Sequence, residues 1–332
     1  MVCQRRRKRP PDRGRLSEPA PDPHSPLCRR LRTNSGIRMA FEIRLQRDVS
    51  GEIRRVARGQ VDRAMAAFDR AREGRFKGVH DARKRFKAIR ALLRLVAPRL
   101  GPAFRRENRW YRDAARKLAG VREAQASLET LDRLESAEDA TLRRGLEARY
   151  EARRGFQFRD TDTLAELLED LADARERVAG WRLAGEGFEV IEPGLRVTYR
   201  RGRRGFRRAV GGASATDLHE WRKDVKYHRH HLELLVRLWP DVLTGAAGTA
   251  RRLGDLLGDH HDLHQLRALL SRSPELAGSE QERESVLAAA ELQAGQLETR
   301  AIAVGGLVYA EKPGRFNARM RAYWESRSAG RA

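Results

Sequence analysis

Apolar residues recur every three or four positions along most of this 332-residue chain, which is the period of an amphipathic α-helix. Val49, Ile53, Val56 and Ala64 show the pattern where it begins. Alanine and leucine are frequent and favour helix, whereas Gly-Glu-Gly at 185–187 and Glu-Pro-Gly at 192–194 interrupt it. We therefore predict an all-α fold of about a dozen helices.

The first predicted helix begins near residue 44, and short loops favour antiparallel neighbours and hence bundles. The segment 188–191 has the composition of a short strand but no evident partner. The later helices are predicted over residues 79–97, 103–118, 121–135, 139–153, 163–180, 195–210, 216–238, 246–257, 260–271, 280–300 and 315–327.

The sequence contains an internal repeat of one polar helix face, and the second copy follows the first at a constant offset of 139 residues. The first copy has His80, Arg83, Lys84, Lys87 and Arg90, and the second has His219, Arg222, Lys223, Lys226 and Arg229. Downstream, Arg112 matches Arg251, Leu118 matches Leu257 and Arg122 matches His261. The repeat predicts halves of about 44–182 and 195–327 with the same helix order, related by a pseudo-twofold axis.

On an ideal helix the five matched side chains of each copy share an arc of about 120°. We call these two sets the paired rows. Cations spaced i,i+4 repel one another, and an anion lying along them relieves the repulsion through charge-assisted hydrogen bonds. Ligand binding is the favoured interpretation, and a solvated helix face is the alternative. The opposite faces are predicted to be core: Ala82, Phe86, Ile89, Leu93 and Val96, and then Trp221, Val225, Leu232 and Leu235.

The charge of the chain favours a polyanionic partner. The formal net charge is +23, with 61 Arg and only 8 Lys. Four of those eight lysines occupy matched positions in the paired rows. Arg presents a planar fork and Lys a compact point charge, so lysine at matched places in an Arg-rich chain suggests a specific requirement.

Further basic residues extend the candidate set. Arg105, Arg109, Arg112 and Arg116 line one side of the next helix, as a ligand wall or a solvated stripe. His230 falls on the basic face and is an extra candidate ligand, whereas His228 falls on the apolar face. His260 and His264 have the i,i+4 spacing of a metal-binding pair, but no third ligand is evident, so we expect no metal site.

No catalytic motif is evident: there is no G-x-S-x-G, no P-loop and no H-E-x-x-H. Glu123, Glu220, Asp259 and Asp262 are interpreted as helix caps or partners of arginine. We therefore expect neither an enzyme nor a bound cofactor.

Residues 1–38 are rich in Pro, Arg and Ser and are predicted to be disordered. They are either a basic anion-binding arm or sequence upstream of the true start, and the rest of the chain is basic without them. Both cysteines, Cys3 and Cys28, lie in this segment, which fits a reducing compartment. No run of 18 apolar residues occurs, so we expect a cytoplasmic protein without a membrane span.

At the paired rows the sequence resembles a CHAD domain, the conserved histidine α-helical domain, in a stand-alone version over residues 39–332. That family's pattern is His-acid-x-Arg with basic residues at helical spacing, given twice, each copy followed by a Leu-Gly-x-x-x-Asp turn. Here the turn is well formed at 257–262, and its first copy at 118–123 departs, with Ala119 for Gly and Glu123 for Asp.

The resemblance implies two four-helix bundles around a basic central channel. It also implies inorganic polyphosphate as ligand and association with polyphosphate granules, and it does not imply catalysis. The polyphosphate-binding residues are then expected to be His80, Arg83, Lys84, Lys87, Arg90, Arg112, Arg116, Arg122, His219, Arg222, Lys223, Lys226, Arg229, His230, Arg251 and His261.

Two other functions stay open. The net charge also suits non-specific nucleic-acid binding, but aromatics are only 6% and stacking platforms are expected in single-strand binders. Trp110, Trp221 and Trp239 are predicted to lie in the core or its wall. A metal-assisted polyphosphate hydrolase is the other alternative, and the carboxylates offer it little support.

Overall fold

Helices account for nearly all of the chain that the structure describes, and no strand occurs there. This is a computed structural model, and it describes residues 41–45, 48–72, 77–134, 140–159 and 161–329. Residues Ala40–Ala332 make up one compact unit. The prediction for residues 1–38 lies outside the described residues. The predicted all-α fold is confirmed for the described part.

The helices are α1 (Val49–Arg72), α2 (Lys77–Leu100), α3 (Pro102–Lys117), α4 (Gly120–Arg133), α5 (Ala140–Arg159), α6 (Thr161–Ala179), α7 (Glu192–Val210), α8 (Ala215–Leu234), α9 (Pro240–Arg272), α10 (Glu280–Val308) and α11 (Pro313–Ala329). Three short 3₁₀ turns accompany them, at Gly187–Val190, Val236–Leu238 and Pro274–Leu276.

Two predicted elements differ from the structure, and several helix ends lie a few residues from their predicted positions. The segment 188–191 lies at a 3₁₀ turn and not in a strand. The helices predicted at 246–257 and 260–271 are one helix, α9, so the turn expected at 257–262 is wrong. Gly258 does not break α9, because a glycine inside a helix costs only about 1 kcal/mol and packing outweighs it. At the first copy of that motif the helix does end, and Leu118 and Ala119 separate α3 from α4.

Corresponding helices pack in corresponding pairs before and after the 3₁₀ turn at Gly187–Val190. The pair α1–α2 has its counterpart in α7–α8, and α2–α3 in α8–α9. The pair α4–α5 corresponds to α9–α10, and α1–α6 to α7–α11. The long helix α9 thus takes the places of α3 and α4 together. Helices α2 and α8 also contact each other, as do α4 and α9.

The core runs through both sets of helices as one cluster. The predicted core residues of α2, which are Ala82, Phe86, Ile89, Leu93 and Val96, are fully buried. Trp221, Val225, Leu232 and Leu235 around α8 are at most 2% exposed. The predicted apolar faces are therefore confirmed, and the polar residues of both rows are left on the other side of each helix.

Candidate functional site

The helices that carry the paired rows are fastened directly to each other. The His231 ring donates a hydrogen bond from Nε2 to the carbonyl oxygen of Ala91, at 2.9 Å. The Arg94 guanidinium lies 4.3 Å from the ring centroid of Tyr227. Both contacts join α2 to α8, so the two rows are held at a fixed spacing.

Lys87 and Lys226 lie where the paired rows meet. Desolvation by the surrounding protein, followed by the charges of Arg83 and Arg222, lowers the pKa of Lys87 to about 8. Desolvation, Arg222 and then Lys87 lower the pKa of Lys226 to about 7. Within the described residues neither ammonium group has a carboxylate partner within ion-pair distance. The two helices thus place uncompensated cations beside each other.

Arginines surround this pair of lysines. The charges of Arg122 and Arg229 also lower the pKa of Lys87, and the charge of Arg229 lowers the pKa of Lys226. Arg83 donates to the carbonyl oxygen of Ala115 at 2.6 Å, which fixes its guanidinium against α3. The Nε atoms of Arg222 and Arg229 are buried without a hydrogen-bond acceptor among the described residues. Such unsatisfied donors are costly, and an anion would satisfy them.

The matched histidines border the same cluster. Desolvation and nearby cations lower the pKa of His80 and of His219, so both rings are neutral at pH 7. The His219 ring lies 4.0 Å from that of His261, centroid to centroid. Desolvation, followed by His219 and Arg222, lowers the pKa of His261 to about 3. Arg122, the residue matched to His261, acts on His80. The matched positions therefore occupy matched places beside the two rows.

Lys84 and Lys223 lie apart from the centre. Lys84 is 3.7 Å from the carboxylate of Asp81, and Lys223 donates to Glu220. All four side chains are at least partly exposed. These lysines are therefore already neutralised on the rim.

Arg112 and Arg116 are also exposed, and both pair with Asp113, at 2.8 and 3.5 Å. Burial, followed by nearby cations that include Arg112 and Arg116, lowers the pKa of Arg90, whose guanidinium donates to Asn108 at 3.2 Å. Arg112 and Arg116 extend the row of α2 onto α3 without joining the central cluster.

Glu233 gathers three of the predicted binding residues. It accepts from Arg251 at 3.1 Å, contacts His230 at 3.0 Å and lies 3.6 Å from Arg229. His230 is largely buried, and its ring is also packed edge-on against Phe41 at 5.6 Å. Arg251 and His230 are thus held by a carboxylate at one end of the second row.

The structure adds counter-charges that the matched pattern does not reveal. Burial lowers the pKa of Arg222, and the negative charges of Asp255, Asp259 and Asp262 of α9 oppose this shift. Arg133 lies 3.7 Å from the carboxylate of Asp259. The i,i+4,i+7 spacing of the three aspartates puts them on one face of α9, which was readable from sequence. Asp259 and Asp262 are not helix caps, because α9 is continuous there. The row on α8 is therefore flanked by three aspartates of α9.

Packing answers the predictions for His228, Trp221 and Trp239. His228 is 2% exposed, as expected for a core histidine. Trp221 is buried, but Trp239 is 46% exposed, so its prediction as core or wall is wrong. It follows the short turn at Val236–Leu238, and its ring makes an edge-to-face contact with the ring of Tyr323. Within the described residues no three His, Cys, Asp or Glu side chains could hold a metal ion together, His260 and His264 included.

None of the helices in the described part of the chain combines the length and the apolar composition that a bilayer crossing requires. A comparison with curated proteins finds no match. The sequence profile of the CHAD domain matches residues 55–271, which include both paired rows and α3, α4 and most of α9. Because this match spans more than half of the chain, the protein belongs to the CHAD domain family.

Proposed function

We propose that the protein binds inorganic polyphosphate between the paired rows of α2 and α8, and that it does so without catalysis. The observation that carries the proposal is the meeting of Lys87 and Lys226, two crowded ammonium groups without a carboxylate partner among the described residues. CHAD domains are known as a polyphosphate-binding family. Polyphosphate carries about one negative charge per unit and displays no bases, so it requires cations and hydrogen-bond donors alone.

The central cluster supplies both. Lys87 and Lys226 offer point charges, and Arg222 and Arg229 offer buried Nε donors that lack acceptors among the described residues. His80 and His219 are neutral until an approaching phosphate raises their pKa. A chain of phosphates between the rows would contact both helices in succession. Affinity would then rise with chain length through multivalency.

The finer architecture belongs to the same proposal. The corresponding helix pairs support two bundle-like halves related by a pseudo-twofold axis, with α2 and α8 flanking a basic central channel. In this arrangement His80 and Arg122 on one side would match His219 and His261 on the other. A polyphosphate-binding protein of this kind would be found in the cytoplasm at polyphosphate granules.

Non-specific nucleic-acid binding is the second candidate, supported by the net charge of +23. Two features of the paired rows disfavour nucleic-acid binding there. The described side chains of the central cluster include no exposed Phe, Tyr or Trp ring on which a base could stack. The aspartates of α9 also narrow the positive region beside Arg222.

Titration calorimetry with the full-length protein tests the proposal, using long-chain polyphosphate, orthophosphate and duplex DNA at physiological salt. We expect Lys87→Ala/Lys226→Ala to weaken polyphosphate binding at least about tenfold, or 1.4 kcal/mol, through loss of two charge-assisted contacts. Lys117→Ala/Lys312→Ala removes two exposed lysines elsewhere and is the matched control.

The control should bind nearly as the parent does, and DNA should bind much more weakly than polyphosphate. Equal losses in the two double variants would mean that only total charge matters, and the proposed site would be wrong. Release of orthophosphate during the titration would contradict the non-catalytic part of the proposal.

A further inference from the structure

The outer face of α7 carries a second set of cations. Seven arginines occur between residues 196 and 208, and no Asp or Glu interrupts them. On an ideal helix they share an arc of about 160°. An open cavity of about 460 Å³ lies along this face, lined by Arg200, Arg203, Arg204, Arg207, Arg208 and Pro313.

The opposite face of α7 fixes the helix tightly to the core. Gly194, Gly202 and Gly205 are buried there. A Cβ at these positions would overlap the backbone of Leu95, the ring of Tyr309 and the ring of Trp221. The arginines therefore project from a helix whose position is closely determined, which favours a formed surface over a mobile one.

Among the described residues, four of the seven arginines have neither an ion pair nor a side-chain hydrogen bond. Arg201 pairs with Asp224 at 3.1 Å and Arg208 with Asp217 at 3.8 Å. Arg203 donates to the carbonyl oxygen of Tyr309 at 3.2 Å. Among the described residues no ion pair or side-chain hydrogen bond involves the remaining four, which are Arg196, Arg200, Arg204 and Arg207. They follow i,i+4,i+8,i+11 spacing, a line of about 16 Å along one side of the helix.

The corresponding helix in the first half does not share this property. Helix α1 also contains several arginines, but acids lie among them. Asp48 pairs with Arg54 at 3.6 Å, and Glu52 pairs with Arg55 at 2.7 Å. Asp62 accepts from Arg175 of α6. A need for surface charge alone would be met by such a mixed face, so the uninterrupted line on α7 requires another explanation.

The α7 surface is separate from the paired rows. The charges that act most strongly on Lys87 and Lys226 lie on α2, α4, α8 and α9, and none of these lies on α7. The lining contains no aromatic side chain, and Tyr199 of α7 is buried on the other side. A single-stranded nucleic acid would lack a stacking platform here. Arginine forks in a line fit the oxygens of a linear phosphate polymer.

We propose that the line Arg196, Arg200, Arg204 and Arg207 is a second polyphosphate-binding surface, which holds a separate segment from the one between the paired rows. The inference rests on the proposed function, because it assigns the same ligand class. One protein molecule then contacts two segments at once. Long chains are cross-linked by the protein, whereas a chain shorter than the α7 line occupies the two sites independently.

The test compares full-length proteins in calorimetry and light scattering. Arg200→Gln/Arg204→Gln/Arg207→Gln removes the centre of the line. The matched control, Arg144→Gln/Arg149→Gln/Arg153→Gln, removes three exposed arginines from α5. Circular dichroism checks that each variant keeps its helix content. Lys87→Ala/Lys226→Ala is measured beside them, alone and combined with the α7 changes.

With short polyphosphate, we expect the α7 variant to bind half as many segments as the parent, with unchanged affinity at the remaining site. With long polyphosphate, the light scattering of the α7 variant should fall to the background. The slope of its log binding constant against log salt concentration should become less steep by about 2. The α5 control should resemble the parent in all three measurements. The combined variant should bind no segment tightly.

An α7 variant that matches the α5 control in stoichiometry and scattering overturns the inference, even where the lysine variant shows the expected loss. A lysine variant with parental binding refutes the proposed function instead. If the α7 variant loses duplex DNA binding and keeps full polyphosphate stoichiometry, the surface is a nucleic-acid surface and the inference is wrong.

Discussion

Lys87 and Lys226 are the cations at which the two rows meet, and Lys87 is among the charges that lower the pKa of Lys226. Their matched positions were readable from the 139-residue offset, but their proximity was not. It depends on how α2 packs against α8, which contacts such as His231 with Ala91 determine. The same holds for the rim: spacing put Lys84 and Lys223 in the rows, and only packing shows them paired with Asp81 and Glu220.

The depressed lysine pKa values predict that polyphosphate binding takes up protons. At pH 8 Lys87 is about half neutral and Lys226 mostly neutral, given pKa values of about 8 and about 7. The charges facing them are Arg83, Arg122, Arg222, Arg229 and Asp255. A bound polyanion favours the charged form, so the two lysines together absorb up to about 1.4 protons at pH 8. Affinity accordingly falls as pH rises from 7 towards 9.

Calorimetry at pH 8 in two buffers with different ionisation enthalpies measures this uptake. His80 and His219 contribute less at pH 8, because their pKa values start below 6.5 and so lie further from that pH than those of the two lysines. Lys87→Ala/Lys226→Ala should abolish the uptake. The same uptake in parent and variant would show that other groups titrate on binding.

At the scale of the helices, the hydrophobic periodicity predicts which helices exist and which of their faces are buried better than it predicts where each helix ends. The apolar sides of α2 and α8 are buried as expected, since 3.6-residue spacing alone determines which side chains share a face. The sequence around Gly258 predicts a turn, whereas α9 continues through this residue. Its Cα faces the Arg222 guanidinium, where an added Cβ would lie 3.2 Å from a nitrogen, so close helix approach explains the glycine. The arginine line of α7 was visible in the sequence, but its lack of partners depends on tertiary packing.

Close approach at α7 makes a testable contrast between two helical glycines. At Gly205 an added Cβ would lie 2.5 Å from Trp221, so Gly205→Ala forces the helices apart and should cost about 1–3 kcal/mol of unfolding free energy. At Gly295 of α10 nothing lies within 4 Å. Gly295→Ala should therefore stabilise the protein by about 0.5–1 kcal/mol.

Urea denaturation followed by circular dichroism gives both values. The opposite order of the two variants would mean that α7 is not held by the Trp221 contact.

At the scale of the whole molecule, the fold carries its positive charge on the outside of a core that contains neutral histidines. His228 and His231 are fully buried, and desolvation lowers the pKa of each to about 3. His228 packs among Tyr199, Tyr309 and Phe316. The unfolded chain leaves both rings free to protonate near pH 6.5.

Folding stability should consequently fall in mild acid. Because the folded pKa values are depressed, the unfolded state binds more protons at every pH below about 6.5. Stability is therefore undiminished above that pH and decreases as the pH falls towards 3. From pH 7.5 to 5.5 the two histidines together should cost about 3 kcal/mol.

Urea titrations at the two pH values measure the loss. The aromatic replacement His228→Phe keeps the packing and should remove about half of it. An equal loss in the variant would assign the acid sensitivity to other groups.

The duplicated His-Arg-Lys-Lys-Arg row also bears on the polarity of the ligand. A nucleic-acid strand has chemically different 5′ and 3′ ends, so a strand lying between the two matched rows would run in opposite chemical directions relative to them. A linear polyphosphate is the same read from either end, and reversing it restores every contact. A repeat of this kind therefore suits a polymer without direction, which can enter by either end and slide by one unit without loss of register.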